Sequence, residues 1–552
     1  MSLASQILGR RMRLIEPQTL DVTCERDLRV PVDDGAALLT DRWVATTSAS
    51  HPQPTVLVRS PYGRRSFVGL MFGRLLAERG LQVVVQSVRG TFGSEGSFAP
   101  FDERADGLAT LRWIRTQPWH RDRIGTIGPS YLGLVQWALA ADAGEDLAAL
   151  AIQVSASQFH GQTFAGGAIS LETAASWMAL IEAQEGRAAP LAISRGLRRL
   201  AATMAELPLG DLDERATGAP VAWYREGFAH PAREDAYWVA RDFSGRVAEV
   251  TAPVSFVGGW YDILLPWMLE DFAALQSAGR SPQLTIGPWA HTSPGLAVTG
   301  HREGIAWLRS HLLDDDRLVR ESPVRVLVTG ERSGGGWRDL PAWPPPGTGE
   351  RPLWLAPAGR LESSAPTADA PRSVTGERYR YDPTDPTPSL GGPVLLSREP
   401  VLDNRELEAR ADVLSYTSEA LAETVEAIGP ARVEVWVRAD SEHFDLFARV
   451  CDVDPAGASW NVCDGLVRVA PVGFERASDG GWRVTVDLWP LGHRFAAGHR
   501  IRLQVSSGAH PRYARNPGTG EDPATATEMR AVNVELLHDR DHPSRLVLPR
   551  GQ

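Results

Sequence analysis

From about residue 25 to 150, short apolar runs alternate with stretches whose apolar residues recur at helical spacing, the pattern of a mostly parallel α/β sheet. Thr55 to Val58, Leu81 to Val85, Ile124 to Gly128 and Leu147 to Val154 read as strands, with Leu70 to Arg79 and Asp106 to Thr116 as intervening helices. The alternation resumes at Pro253 to Val257 and Leu284 to Ile286, two strands expected to rejoin the same sheet. Between about 155 and 245 it gives way to amphipathic segments rich in Ala, Leu, Glu and Arg, such as Leu171 to Gln184 and Leu191 to Leu207. Ligands of open α/β sheets bind outside the carboxyl ends of the strands, so an insertion on that side predicts a helical cap over a site. Beyond about 320 helical patterns nearly vanish. Proline-rich joints (Pro341 to Pro346, Tyr381 to Pro386) and period-2 runs (Arg432 to Val437, Phe444 to Val450, Trp482 to Leu488, Arg500 to Val505) predict an all-β sandwich or jelly roll. The expected division is a core from 1–154 and 246–320, a cap at 155–245 and a β domain at 321–552.

The predicted strand at Ile124 runs into Gly128-Pro129-Ser130-Tyr131-Leu132-Gly133 and then an apolar, helix-prone run. A serine hydroxyl is a weak nucleophile at neutral pH, and a sharp strand-to-helix turn with small neighbours lifts it clear of the backbone. Ser130 sits where such a nucleophile elbow would place it, although the generic glycine two places on is Leu132, and the glycine is delayed to 133. The nucleophile needs a general base, and the base an acid that fixes its tautomer, in the chain order Ser, Asp, His for an α/β-hydrolase. Asp262 ends Gly258-Gly259-Trp260-Tyr261-Asp262 after one predicted strand, and His291 ends Gly287-Pro288-Trp289-Ala290-His291 after the next. The alternative readings are a helix cap for the aspartate and a surface group for the histidine. Three residues of the right types, in order, each just past a strand, favour a triad. The oxyanion of a tetrahedral intermediate needs two donors. The Tyr131 backbone N–H is one candidate, and Tyr62, in the turn Pro61-Tyr62-Gly63-Arg64 after the first strand, is the other.

Composition narrows the classes. A net charge of −11 argues against a nucleic-acid partner, and the absence of lysine from all 57 basic positions excludes Schiff-base and P-loop chemistry. Gly90 to Gly96 lacks dinucleotide spacing, so no nucleotide or other cofactor is expected, nor is a metal, since Cys24, Cys451 and Cys463 lack ligand spacing. With no signal-like apolar region after Arg10, Arg11 and Arg13 and no apolar run of membrane-spanning length, the expectation is a soluble cytoplasmic enzyme without a membrane partner. Its partner would be a small ester or amide; a homo-oligomer is left open. Phe164, Trp177 and Trp260 are candidates for the substrate pocket, whereas Glu172, Glu182 and Glu185 read as the solvated face of cap helices rather than an anchor for a substrate amine.

Arg59 to Arg64, Arg89-Gly90 with Ser94-Glu95-Gly96, Gly128 to Gly133, Gly258 to Asp262 and Gly287 to His291 together resemble one serine hydrolase family, that of cocaine esterase, α-amino acid ester hydrolases, glutaryl acylases and X-prolyl dipeptidyl peptidases. The resemblance implies an α/β-hydrolase core with a helical cap and a C-terminal jelly roll. It also implies a nucleophile, acid and base at Ser130, Asp262 and His291 and a tyrosine oxyanion donor at Tyr62. One departure is Ser87, where the family commonly carries an acidic residue; it bears on support of the glycine loop. Hydrolysis through an acyl-enzyme is the leading expectation. Transfer of the acyl group to an amine or alcohol, X-prolyl peptidase activity, and an inert ligand-binding protein are the alternatives.

Overall fold

The computed structural model describes residues 2–46, 53–121, 123–186, 188–330, 335–366, 376–397, 399–477 and 480–551. Its first sheet has ten strands: β1 (Val22–Pro31), β2 (Ala37–Ala45), β3 (Thr55–Ser60), β4 (Gln82–Ser87), β5 (Ile124–Pro129), β6 (Leu147–Gln153), β7 (Val254–Tyr261), β8 (Gln283–Ala290), β9 (Val324–Val328) and β10 (Gly336–Leu340). They lie in the order β1-β2-β4-β3-β5-β6-β7-β8-β9-β10, and the run from β4 to β9 is parallel throughout. Strands covered by helices on both faces are near-continuous apolar runs rather than alternating ones, and β3, β4 and β7 are buried at every position. The helices Tyr131–Ala140 and Pro294–Leu313 lie in the two different apolar clusters on either side of the sheet.

The chain runs from β3 outward to β4 and then returns to place β5 on the other side of β3, so the strand order reverses between β3 and β5. That reversal opens a crevice at the carboxyl ends. Tyr62 follows β3 and Ser130 follows β5, which puts the two loops on opposite lips of that crevice.

Two parts of this sheet differ from the sequence reading. The sequence pattern does not announce the antiparallel pair β1 and β2 at one edge; most of β1 is solvent-facing, so it carries little apolar signal. At the other edge β9 pairs with β8 and β10 with β9, so the sheet continues to Leu340, past the joint expected at 320. Period-2 alternation marks a strand without saying which sheet it joins.

Between β6 and β7 the chain is helical, with Leu171–Ala183, Ala189–Thr203 and Ala222–Ala229 as the longer segments. The second ends before the expected Leu207, which precedes Pro208 and is disfavoured from helical geometry by the proline ring. From Gly349 to Arg550 a twelve-stranded, almost wholly antiparallel sheet forms the C-terminal all-β domain. Among the described residues no helix is long and apolar enough to cross a membrane.

Candidate active site

Ser130 occupies the turn from β5 into the helix Tyr131–Ala140 with φ +57° and ψ −123°, a strained conformation held by its surroundings. Its amide donates to Gln153 O at 2.9 Å. A Cβ on Gly128 would stand 2.4 Å from Leu132 Cβ, and one on Gly133 would stand 2.3 Å from Ser155 Cβ. This accounts for the displaced glycine. Leu132 is buried in the cluster on the far face of the sheet, and the residue that needs to be small is the one meeting Ser155.

His291 Nε2 lies 3.0 Å from Ser130 Oγ, and His291 Nδ1 lies 2.6 Å from Asp262 Oδ2. With Nδ1–H given to the carboxylate, Nε2 is left as the acceptor for the serine O–H. Asp262 is 1% exposed, and its second oxygen accepts the Leu264 N–H at 2.8 Å.

Tyr131 stands at the first position of its helix, where backbone N–H groups have no intrahelical acceptor. Its phenol end is buried: Tyr131 Oη donates to Glu103 Oε1 at 2.7 Å and accepts from the Phe101 N–H at 3.0 Å. Glu103 is paired in turn with Arg59 at 2.8 Å. Burial pushes the Glu103 carboxyl up, against the opposing pull of Arg59, and pushes the Tyr131 phenol well above its ordinary range. This buried chain braces the elbow from behind, and sequence reasoning missed it because its members are separated by dozens of residues.

Tyr62 Oη accepts a hydrogen bond from Trp177 Nε1 at 3.1 Å, and burial pushes the phenol up to about 12. It therefore keeps its own O–H as a donor throughout the neutral range. The cap helix is further tied to this region by Gln184, which donates to Pro61 O at 2.9 Å, and by Glu185, which accepts the Phe92 N–H at 2.8 Å. The Ser87 departure is met locally. Arg64 donates to the Ser87 hydroxyl at 3.2 Å, while its charge is balanced by Asp41 at 3.0 Å and by Asp27.

A cavity enclosing roughly 710 Å³ of empty space, part of it open to solvent, lies over Ser130. Nine aromatic residues line it: Phe101, Tyr131, Phe159, Trp177, Trp223, Tyr224, Phe228, Tyr237 and Trp238; its walls carry no Asp, Glu, Arg or His. Trp177 stacks on Phe101 and Tyr131 with ring centres 5.7 and 5.8 Å apart. Of the expected pocket residues Trp177 is in the wall. Phe164 stands one layer behind, edge-on to Phe228 and Trp238. Trp260 is a correction: it is 3% exposed, faces away from the cavity and donates to Leu327 O at 2.6 Å. Its ring packs instead on Trp343 and against Gly492. The reading of the three glutamates as a solvated face holds for Glu182 and Glu185, which are exposed, and needs correcting for Glu172. Glu182 accepts the Trp223 indole N–H at 2.9 Å, and Glu172 is half-buried, accepting from Leu395 N at 3.3 Å. The other wall aromatics were visible only as an aromatic-rich stretch in the cap. No group of His, Cys, Asp and Glu fit to hold a metal ion occurs among the described residues.

A ten-stranded sheet with a serine on its nucleophile turn, a histidine beside it and a carboxylate behind defines a serine hydrolase of the α/β-hydrolase class. The chain belongs to the X-Pro dipeptidyl-peptidase (S15) family, whose pattern matches residues 34–293, with the family's C-terminal non-catalytic domain matching 318–547. It is similar to a cocaine esterase of Rhodococcus sp. (strain MB1 Bresler), 30% identical over 95% of this chain and 98% of the esterase. Among solved structures it resembles an α-amino acid ester hydrolase (TM-score 0.80, 21% identity, 96% and 97% of the two chains covered). It also resembles an aminopeptidase of a marine sediment archaeon, Thaumarchaeota archaeon (TM-score 0.77, 21% identity, 96% of each chain). The protein is a serine hydrolase acting on ester or amide bonds.

Proposed function

We propose that the protein hydrolyses esters of bulky, uncharged aromatic acids through an acyl-enzyme on Ser130. The observation carrying this reading is the uncharged aromatic wall directly over Ser130, which favours an apolar acyl group. A relative of comparable length is named an esterase, which points the same way. His291 Nε2 takes the proton from Ser130 Oγ as that oxygen attacks the acyl carbon, then delivers it to the leaving alcohol; water repeats the sequence in reverse roles. The Tyr62 O–H and Tyr131 N–H hold the developing oxyanion. Tyr62→Phe is accordingly expected to lower kcat by about 10² to 10³, read as the initial rate on a 4-nitrophenyl ester; an unchanged kcat would remove Tyr62 from the mechanism.

A peptidase of the X-prolyl kind must hold a free substrate ammonium, and the cavity wall offers it no carboxylate. Glu172, just outside, is pushed up by burial toward its neutral form. Comparing kcat/KM for 4-nitrophenyl benzoate with that for glycyl-prolyl 4-nitroanilide tests the choice. The benzoate is expected to lead by at least about 10², the scale at which a site rejects a group it cannot pair. A faster anilide, or a condensed product on adding an amine, would replace this reading with the peptidase or the acyltransferase. We also propose a reducing, cytoplasmic setting, because Cys451 and Cys463 are free thiols on neighbouring strands, both held protonated by burial.

A further inference from the structure

The loop that carries Asp262 is held from the C-terminal domain. Trp489 Nε1 donates to the Asp262 backbone carbonyl oxygen at 2.9 Å, while the Asp262 amide donates to Gly259 O at 2.9 Å. The main chain of the acid is thus tied both within its own loop and from outside it, and the position of its Cα decides where Oδ2 meets His291.

The strand bearing Trp489 is built to release that side chain. Trp482–Phe495 pairs antiparallel with Val425–Ala439, but Leu488 faces Ala431 and Leu491 faces Gly429, so Trp489 and Pro490 together oppose Pro430 alone. An extra residue in one strand turns a side chain out of regular alternation, and with proline at both 430 and 490 there is no amide hydrogen at either position to restore the ladder. The released indole is buried and wedged. Trp267 meets it edge-on at 5.9 Å, and the Arg512 guanidinium lies 5.1 Å from its ring, itself held by Asp464 at 2.6 Å. Three residues on, a Cβ at Gly492 would stand 2.5 Å from the Trp260 ring, and Gly492 O accepts the Thr329 N–H at 2.8 Å. One short stretch of the C-terminal domain therefore supports both Trp260 and Asp262.

We propose that the C-terminal domain, whose family description is non-catalytic, supplies Trp489 as a positioning residue for the triad acid, its indole N–H fixing the Asp262 main chain and thereby the alignment of His291. This rests on the reading of Asp262 as the acid. Trp489→Phe keeps an aromatic ring and removes the N–H. In the full-length protein, kcat per site titrated with a fluorophosphonate is expected to fall about ten-fold, the size of one lost hydrogen bond, with KM unchanged. In an Asp262→Asn background the same substitution is expected to change kcat by less than about two-fold, because residues acting through one another are not additive. Wild-type kcat per titrated site in the single variant, or an undiminished ten-fold loss in the Asn background, overturns the positioning role. If Asp262→Asn alone keeps full activity, the acid assignment fails first and this inference with it. A second measurement needs no substitution: in the ¹⁵N-tryptophan-labelled native protein the Trp489 indole N–H is expected to exchange slowly and to shift when Ser130 is phosphonylated. A rapidly exchanging, unshifted resonance overturns the proposal even if the variant does not fold.

Discussion

Ser130→Ala is expected to lower kcat by about 10⁶, the scale on which loss of a triad nucleophile acts. The hydroxyl is the atom that would bond to the acyl carbon, and its removal leaves water to attack directly, without the covalent intermediate that divides the reaction into two easier steps. Substrate should still bind, because the aromatic wall over position 130 is untouched; KM is expected to stay within a few-fold, about the range of unaltered ground-state contacts. Stability should hardly change, since alanine meets the same positive φ that Ser130 already adopts. Intact-mass measurement after a fluorophosphonate probe separates the outcomes. One adduct on the native protein and none on the variant assigns the nucleophile, whereas a variant that keeps its rate or its adduct places the chemistry elsewhere.

Asp262→Asn should have the second largest effect, about 10⁴ in kcat. The asparagine amide fits the same space, but it can donate to His291 Nδ1, leaving that nitrogen as an acceptor and sending the ring proton to Nε2. The Nε2–H then faces Ser130 Oγ across 3.0 Å and cannot accept its proton. The imidazolium formed on attack also loses the carboxylate that stabilises it. Because Asp262 is buried and its Oδ1 already accepts the Leu264 N–H, no water can take over its role. The rate on a 4-nitrophenyl ester, with active sites counted by phosphonylation, checks this. A loss below about ten-fold, the size of an ordinary hydrogen-bond deletion, would mean that another group orients His291.

Much of the site was legible in the sequence because its parts are local. The nucleophile turn needs a glycine before the serine and a small residue where its helix meets the next strand, and Gly128 and Gly133 announce both. Asp262 and His291 each follow an apolar run that could only be a buried strand, so their place at the carboxyl edge followed from the parallel order. The place of Tyr62, in the turn after β3, was legible for the same reason.

What was not legible is long-range. Trp260 and Asp262 are two residues apart, yet one packs against Gly492 of the C-terminal domain and the other meets His291. Glu103, Arg59 and Tyr131 carry no joint pattern, although they form one buried chain. The strands at 324–328 and 336–340 alternate like those of the β domain, yet they complete the first sheet.

The sequence by itself determined the class of the protein, the order of most of its core elements and the candidate residues for the reacting centre, because strand runs, turn glycines and chain order are properties of neighbouring residues. Only the tertiary structure decided which aromatics wall the cavity and which strand closes the sheet. It also decided that a tryptophan more than two hundred residues away holds the main chain of Asp262. Those depend on which surfaces meet when buried area and hydrogen bonds are satisfied together, and a periodicity along one strand does not contain the identity of the strand or side chain that will face it.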